Sequence, residues 1–74
     1  MTKAELNEEL TRLHGQLAHA PRLCQLHQQA AAHFVNDEGA VRFHLTHAWV
    51  YALVAGDEAE TAQLETRLQA LGGL

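Results

Sequence analysis

The segment from Glu38 to Ala55 constrains the fold most, because the helix that it predicts is apolar on nearly every side. Its apolar residues are Val41, Phe43, Leu45, Ala48, Trp49, Val50, Ala52, Leu53 and Val54. A helix without a polar face is usually buried on more than one side. A chain of 74 residues has little other material to cover it. The segment therefore predicts self-association, and the residues that we expect at the interface are Val41, Leu45, Trp49 and Leu53.

The remaining sequence is also typical of helices. Ala, Leu, Gln and Glu dominate, whereas Ile is absent and only four Val are present, which disfavours a β-rich fold. Near the N-terminus, leucines recur at spacings of four, three and four residues, as in a coiled-coil seam. They are Leu6, Leu10, Leu13 and Leu17. We expect one all-α domain over residues 1–74, a four-helix bundle of two helical hairpins in which the outer helices cover the inner pair.

Local signals set the ends of the outer helices. Thr2 and Glu5 form a capping box, and they predict a first helix from about Lys3 to about Ala18. An alternative end lies near His14, because Gly15 costs about 1 kcal/mol inside a helix. Asp57 with Glu60 repeats the capping-box pattern for a fourth helix, which runs to about Ala70 and stops at Gly72-Gly73.

The boundary between the inner helices has two interpretations. Pro21 suits the first turn of the second helix, and Asn36-Asp37-Glu38-Gly39 predicts a break, with Asp37 capping a third helix over 38–55. In the alternative, residues 21–55 form one continuous helix that tolerates Gly39, which would leave three helices.

Six histidines provide the main chemical signal. Cys24-x-x-His27 and His44-x-x-His47 are two i, i+3 pairs, and a thiolate with three imidazoles could hold zinc in a tetrahedral site, or the histidines could hold haem. In the simpler interpretation no cofactor is bound, His27 is a core or interface histidine bonded to a backbone carbonyl, and His44 and His47 line a polar edge. Because His27 lies on an apolar face, desolvation should lower its pKa.

Several functional classes are disfavoured. The five Lys and Arg residues are scattered and the formal charge is −4, so nucleic-acid binding is not expected. The longest apolar run is the eight residues from Ala48 to Ala55, too short to span a membrane. The lone Cys24 fits a reducing compartment, and no basic, apolar leader is visible, so we expect a cytoplasmic protein.

Catalysis also has few candidates. The chain has no Ser, Lys3 is its only lysine, and no carboxylate lies near His27 or His47 in sequence. We therefore expect a non-catalytic interaction or oligomerisation module whose partner is itself or another protein. The alternative functions are a metal- or haem-binding protein that uses Cys24, His27, His44 and His47, and a small regulator that responds to pH through its histidines.

Overall fold

The computed structural model describes all 74 residues and contains four α-helices and no strands. In chain order they are α1 (Lys3–Leu13), α2 (Ala20–His33), α3 (Glu38–Ala55) and α4 (Glu58–Ala70). A short 3-10 helix, Leu17–His19, links α1 to α2. The all-α, four-helix fold predicted from the sequence is confirmed.

The first helix is shorter than its main prediction. Its capping box is present, since the Thr2 hydroxyl accepts from the Glu5 backbone N–H and the Glu5 carboxylate accepts from the Thr2 N–H, both at 3.1 Å. The helix ends at Leu13, however, because Gly15 takes a left-handed conformation with φ of 73°. The end near His14 was therefore the correct alternative. Leu17 falls outside the helix and is 62 % exposed, so it does not extend the leucine seam.

The inner helices are separate, and a continuous helix over 21–55 is wrong. α2 stops at His33, and Asp37 starts α3 by accepting a hydrogen bond at 3.0 Å from the backbone N–H of Ala40. At the other end of α3, Gly56 takes the left-handed conformation and terminates the helix.

The fourth helix begins with half of its predicted capping box. The Asp57 carboxylate accepts from the Glu60 backbone N–H at 3.0 Å. The Glu60 carboxylate does not return the bond. It accepts instead from the Gln28 amide at 2.7 Å and so ties α4 to α2.

The α2–α3 hairpin forms the centre of the molecule, with α1 packed on α2 and α4 packed on α3. Five leucines in the core are almost completely buried: Leu23, Leu26, Leu45, Leu64 and Leu68. The arrangement is flat, with Cα extents of 30 × 29 × 16 Å. Only 15 of 74 residues are buried, so each helix keeps much of its surface uncovered.

Candidate functional site

Several large apolar side chains on the outer side of α3 remain exposed to solvent. Phe43 is 56 % exposed, Val50 44 % and Val54 47 %. Together with His47 they recur at spacings of four, three and four residues, so they project within an arc of about 60°. We call Phe43, His47, Val50 and Val54 the outer seam. Leu53, which is 51 % exposed, lies beside it.

The four predicted interface residues differ in how far the protomer buries them. Leu45 is 1 % exposed and lies inside the core, so no surface of its side chain is left for a partner. Val41 and Trp49 are half-buried and pack against the same core. Of the predicted set only Leu53 is freely exposed. Leu45 is therefore excluded from an interface, because the core of the protomer already covers the face that carries it.

The sequence does contain the signal for the outer seam. Its four-three-four spacing repeats that of the N-terminal leucines and matches coiled-coil a and d positions. It was missed because α3 is apolar all round, so that every helical face carries a candidate stripe. Only the packing of α2 and α4 shows which stripe remains open.

The outer seam is also electrically neutral when its histidine is neutral. Between Phe43 and Ala55, α3 contains no Asp, Glu, Lys or Arg. The nearest formal charge along the chain is Arg42, whose guanidinium donates to the carbonyl oxygen of Leu71 at 3.4 Å. No charged side chain of α3 therefore needs to be desolvated when the seam is covered.

Behind the seam, two further histidines meet His47, and we call His27, His44 and His47 the histidine cluster. His27, on α2, is 8 % exposed. Its Nδ1 lies 3.1 Å from Nδ1 of His44, so one ring donates and the other accepts. The His47 ring stacks on His27 with centroids 4.9 Å apart, and Tyr51 stacks on His27 at 5.7 Å. The predicted bond from His27 to a backbone carbonyl is therefore wrong, since its partner is His44.

The cluster and the seam share His47 and touch through Phe43. Nδ1 of His47 donates to the backbone carbonyl of Phe43 at 2.8 Å, because a carbonyl oxygen can only accept. The Phe43 ring lies 4.3 Å from the His47 ring and meets His44 edge-on at 5.1 Å. A change in the charge of the cluster is consequently felt by the exposed seam.

The surroundings of His27 and His44 favour the neutral imidazole. Burial, together with repulsion from His47, His44 and His14, lowers the pKa of His27 to about 4. Burial, followed by the charge of His47, also lowers the pKa of His44. The lowered pKa that the apolar placement of His27 predicted is confirmed.

Cys24 does not join the histidines. Its sulfur accepts a hydrogen bond from the Gln28 amide at 3.4 Å, and it lines a separate cavity with Asp57 and Glu60. Burial raises the pKa of the Cys24 thiol, which disfavours the thiolate that a metal requires. The structure thus brings together three of the four predicted ligands. Nowhere in the chain are three or more His, Cys, Asp or Glu side chains arranged to hold a metal ion.

Comparisons with family models, with curated proteins and with solved structures each found no match to this chain. None of the four helices combines the length and apolarity that a membrane crossing requires. The geometry of the outer seam and of the histidine cluster is therefore the basis for the functional proposal.

Proposed function

We propose that this chain is a non-catalytic self-association module, and that the outer seam of α3 is its interface with a second copy. The observation that carries this proposal is the uncovered, uncharged seam with coiled-coil spacing on the central helix of the fold. Because the lone Cys24 fits a reducing compartment, we place the assembly in the cytoplasm.

The order of residues in the seam makes it complementary to itself. Phe43 and Val54 stand at its ends, and His47 and Val50 lie at equal distances from them. In an antiparallel, twofold pairing of two α3 helices, Phe43 therefore meets Val54 of the second copy, and His47 meets Val50. A twofold interface uses the same patch on both subunits, so this symmetry is what a homodimer requires.

Because the outer seam carries no formal charge, it suits a second copy of the chain better than a strongly charged partner. Each copy brings the same side chains to a twofold interface, so like charges in a seam would be opposed. The stretch from Phe43 to Ala55 has none to oppose. The net charge of −4 arises elsewhere, with carboxylates on α1, on α4, in the turns and at Glu38, the first residue of α3.

The protomer is large enough for a stable dimer. A standard interface buries roughly 800 Å² on each partner. That is about one sixth of the 4591 Å² of accessible surface, and the broad face of the molecule extends over 30 × 29 Å. Covering Phe43, Val50, Leu53 and Val54 would also remove their apolar surface from water.

Association would further offset the small size of the core. A chain of this length usually gains stability from disulfides, a metal or oligomerisation. Its single cysteine excludes a disulfide within the chain, and only 15 residues are buried in the protomer. A second copy adds apolar burial without any further element in the chain.

Sedimentation equilibrium of the full chain tests the proposal, with variants that place one extra charge in two locations. Wild type should approach twice the protomer mass of 8.2 kDa at micromolar concentrations. Val50→Glu should remain at the protomer mass, because a carboxylate would be buried in the seam of each copy. Gln63→Glu adds the same charge on the exposed side of α4 and should dimerise as wild type does.

Two results would overturn the proposal. One is a wild-type protein that stays at the protomer mass up to several hundred micromolar. The other is a Val50→Glu protein that dimerises as tightly as Gln63→Glu. Circular dichroism of both variants shows whether each protomer keeps its helices, so that loss of association is not confused with unfolding.

A further inference from the structure

We propose that the histidine cluster makes self-association through the outer seam acid-sensitive, so that folded dimers separate as the pH falls towards about 6. This inference rests on the proposed function, because it concerns the regulation of the same seam. Histidine is the side chain whose charge ordinarily changes between about pH 5 and 8.

His47 is the residue that connects the proton to the interface. It occupies one of the four seam positions, and in the twofold pairing it faces Val50 of the second copy. Its Nδ1 hydrogen is committed to the Phe43 carbonyl, so protonation occurs at Nε2 and adds a full charge to an apolar seam. Burying that charge in each copy of a symmetric interface is unfavourable unless a counter-ion is present.

No carboxylate forms an ion pair with a histidine of the cluster. From the end of α1 the titratable neighbour is His14, which lines a surface cavity together with the three histidines of the cluster. From α2 it is His27, and from α3 they are His44 and the Tyr51 ring. The ring of Phe34, which stacks on His44 at 5.9 Å, carries the ammonium group of Lys3 on its face. The charged neighbour on that side is thus a cation.

The two carboxylates of α4 that contact the central hairpin form hydrogen bonds with residues outside the histidine cluster. Glu60 accepts from the Gln28 amide at 2.7 Å, and Glu65 accepts from the indole N–H of Trp49 at 3.1 Å. Neither is paired with a histidine. A proton on His47 therefore meets other imidazoles and an apolar partner surface. Repulsion among the histidines also disfavours the charged form, since His47, His44 and His14 each lower the pKa of His27.

The overall charge of the protein predicts the opposite effect, which makes the sign of the pH dependence informative. The protomer carries −4 when its histidines are neutral. Protonation of histidines brings that charge towards zero, which reduces repulsion between copies and favours association. Weaker association in acid thus indicates control by the cluster, whereas stronger association indicates control by net charge.

The test measures the dimer dissociation constant by sedimentation equilibrium at pH 7.5 and at pH 6.0, with a chelator present to exclude metal effects. For wild type we expect a roughly tenfold weakening at the lower pH, because a charge on the imidazole of each copy would have to be buried in an apolar interface. His47→Gln and His47→Leu cannot be protonated and should retain less than about a threefold change. His19→Gln removes an exposed histidine outside both the cluster and the seam, and it should behave as wild type.

The outcomes separate this inference from the proposed function. Wild type that dimerises at pH 7.5 and as tightly at pH 6.0 overturns the inference alone. A monomer at pH 7.5 overturns both, and so does a His47→Leu protein that fails to dimerise although its seam is more apolar. A tenfold change retained by both His47 variants, or a loss of helix content in wild type at pH 6.0, also contradicts the inference, because dissociation must occur between folded protomers.

Discussion

The two faces of α3 have similar apolar character but different roles. On the inner face, Leu45, Ala48 and Ala52 are almost completely buried against the rest of the protomer. On the outer face, Phe43 and Val50 remain about half exposed. The difference shows that hydrophobicity alone does not decide which surface a short chain covers. The alanines of the inner face allow neighbouring helices to approach closely, whereas the bulkier outer side chains have no helix of this chain above them.

The buried inner face stabilises the protomer, and we propose that the exposed outer face serves association. Substitutions in three places show how strictly the two roles are divided. The substitutions affect Leu45 in the core, Trp49 at its edge and His27 behind the seam. The expected loss in the free energy of unfolding becomes smaller in that order.

The largest effect should separate two leucines on the same helix. Leu45→Ala should lower the free energy of unfolding by about 3 kcal/mol, because it leaves a cavity in the core. Leu53→Ala removes the same atoms from a side chain that is 51 % exposed, and it should cost less than about 1 kcal/mol. Denaturant unfolding at concentrations that keep the protein monomeric measures both. Equal losses would contradict the division between the faces.

A smaller effect is expected at Trp49, which lies at the edge of the inner face. Trp49→Phe keeps an aromatic ring but removes the indole N–H that donates to Glu65, and it should cost about 2 kcal/mol. Glu65→Gln retains an acceptor oxygen and should cost less than Trp49→Phe. If Trp49→Phe unfolds at the same denaturant concentration as wild type, the α3–α4 contact does not depend on this bond.

A third effect follows from the pKa of His27, which burial and repulsion from neighbouring histidines lower from 6.5 to about 4. The unfolded chain binds this proton more readily, so the stability that His27 contributes is complete above pH 6.5 and is lost as the pH falls from 6.5 towards 4. Between pH 7.5 and 5.5 wild type should lose about 1 kcal/mol through this residue. The measurement is denaturant unfolding of wild type and His27→Gln at both pH values. A loss in wild type no greater than in the variant would show that His27 is not held neutral.

The sequence predicts the helices well because their ends are set by local chemistry. Thr2, Asp37 and Asp57 cap the helices that follow them, and Gly56 ends α3. The first helix was harder to delimit, because its leucine spacing continues to Leu17 although Gly15 interrupts the backbone. Periodicity describes which face is apolar, and it does not locate a helix end.

The candidate site was less predictable because it depends on contacts between helices. The spacing of Cys24 and His27 suggested that both belong to one site, but Cys24 faces a different cavity. His44 and His47 do meet His27, since α2 and α3 pack as a hairpin. The interface prediction selected the stripe through Leu45 because a helix that is apolar all round offers no internal criterion for choosing a face.

Isotope-filtered nuclear Overhauser measurements on a mixture of labelled and unlabelled protein test the central claim most directly. Such spectra report only contacts between different copies of the chain. The antiparallel pairing predicts contacts from the Phe43 ring of one copy to the Val54 methyl groups of another, and contacts between His47 and Val50. An absence of intermolecular contacts at these residues, or contacts that arise from α1 or α4 instead, would contradict the assignment of the outer seam as the interface.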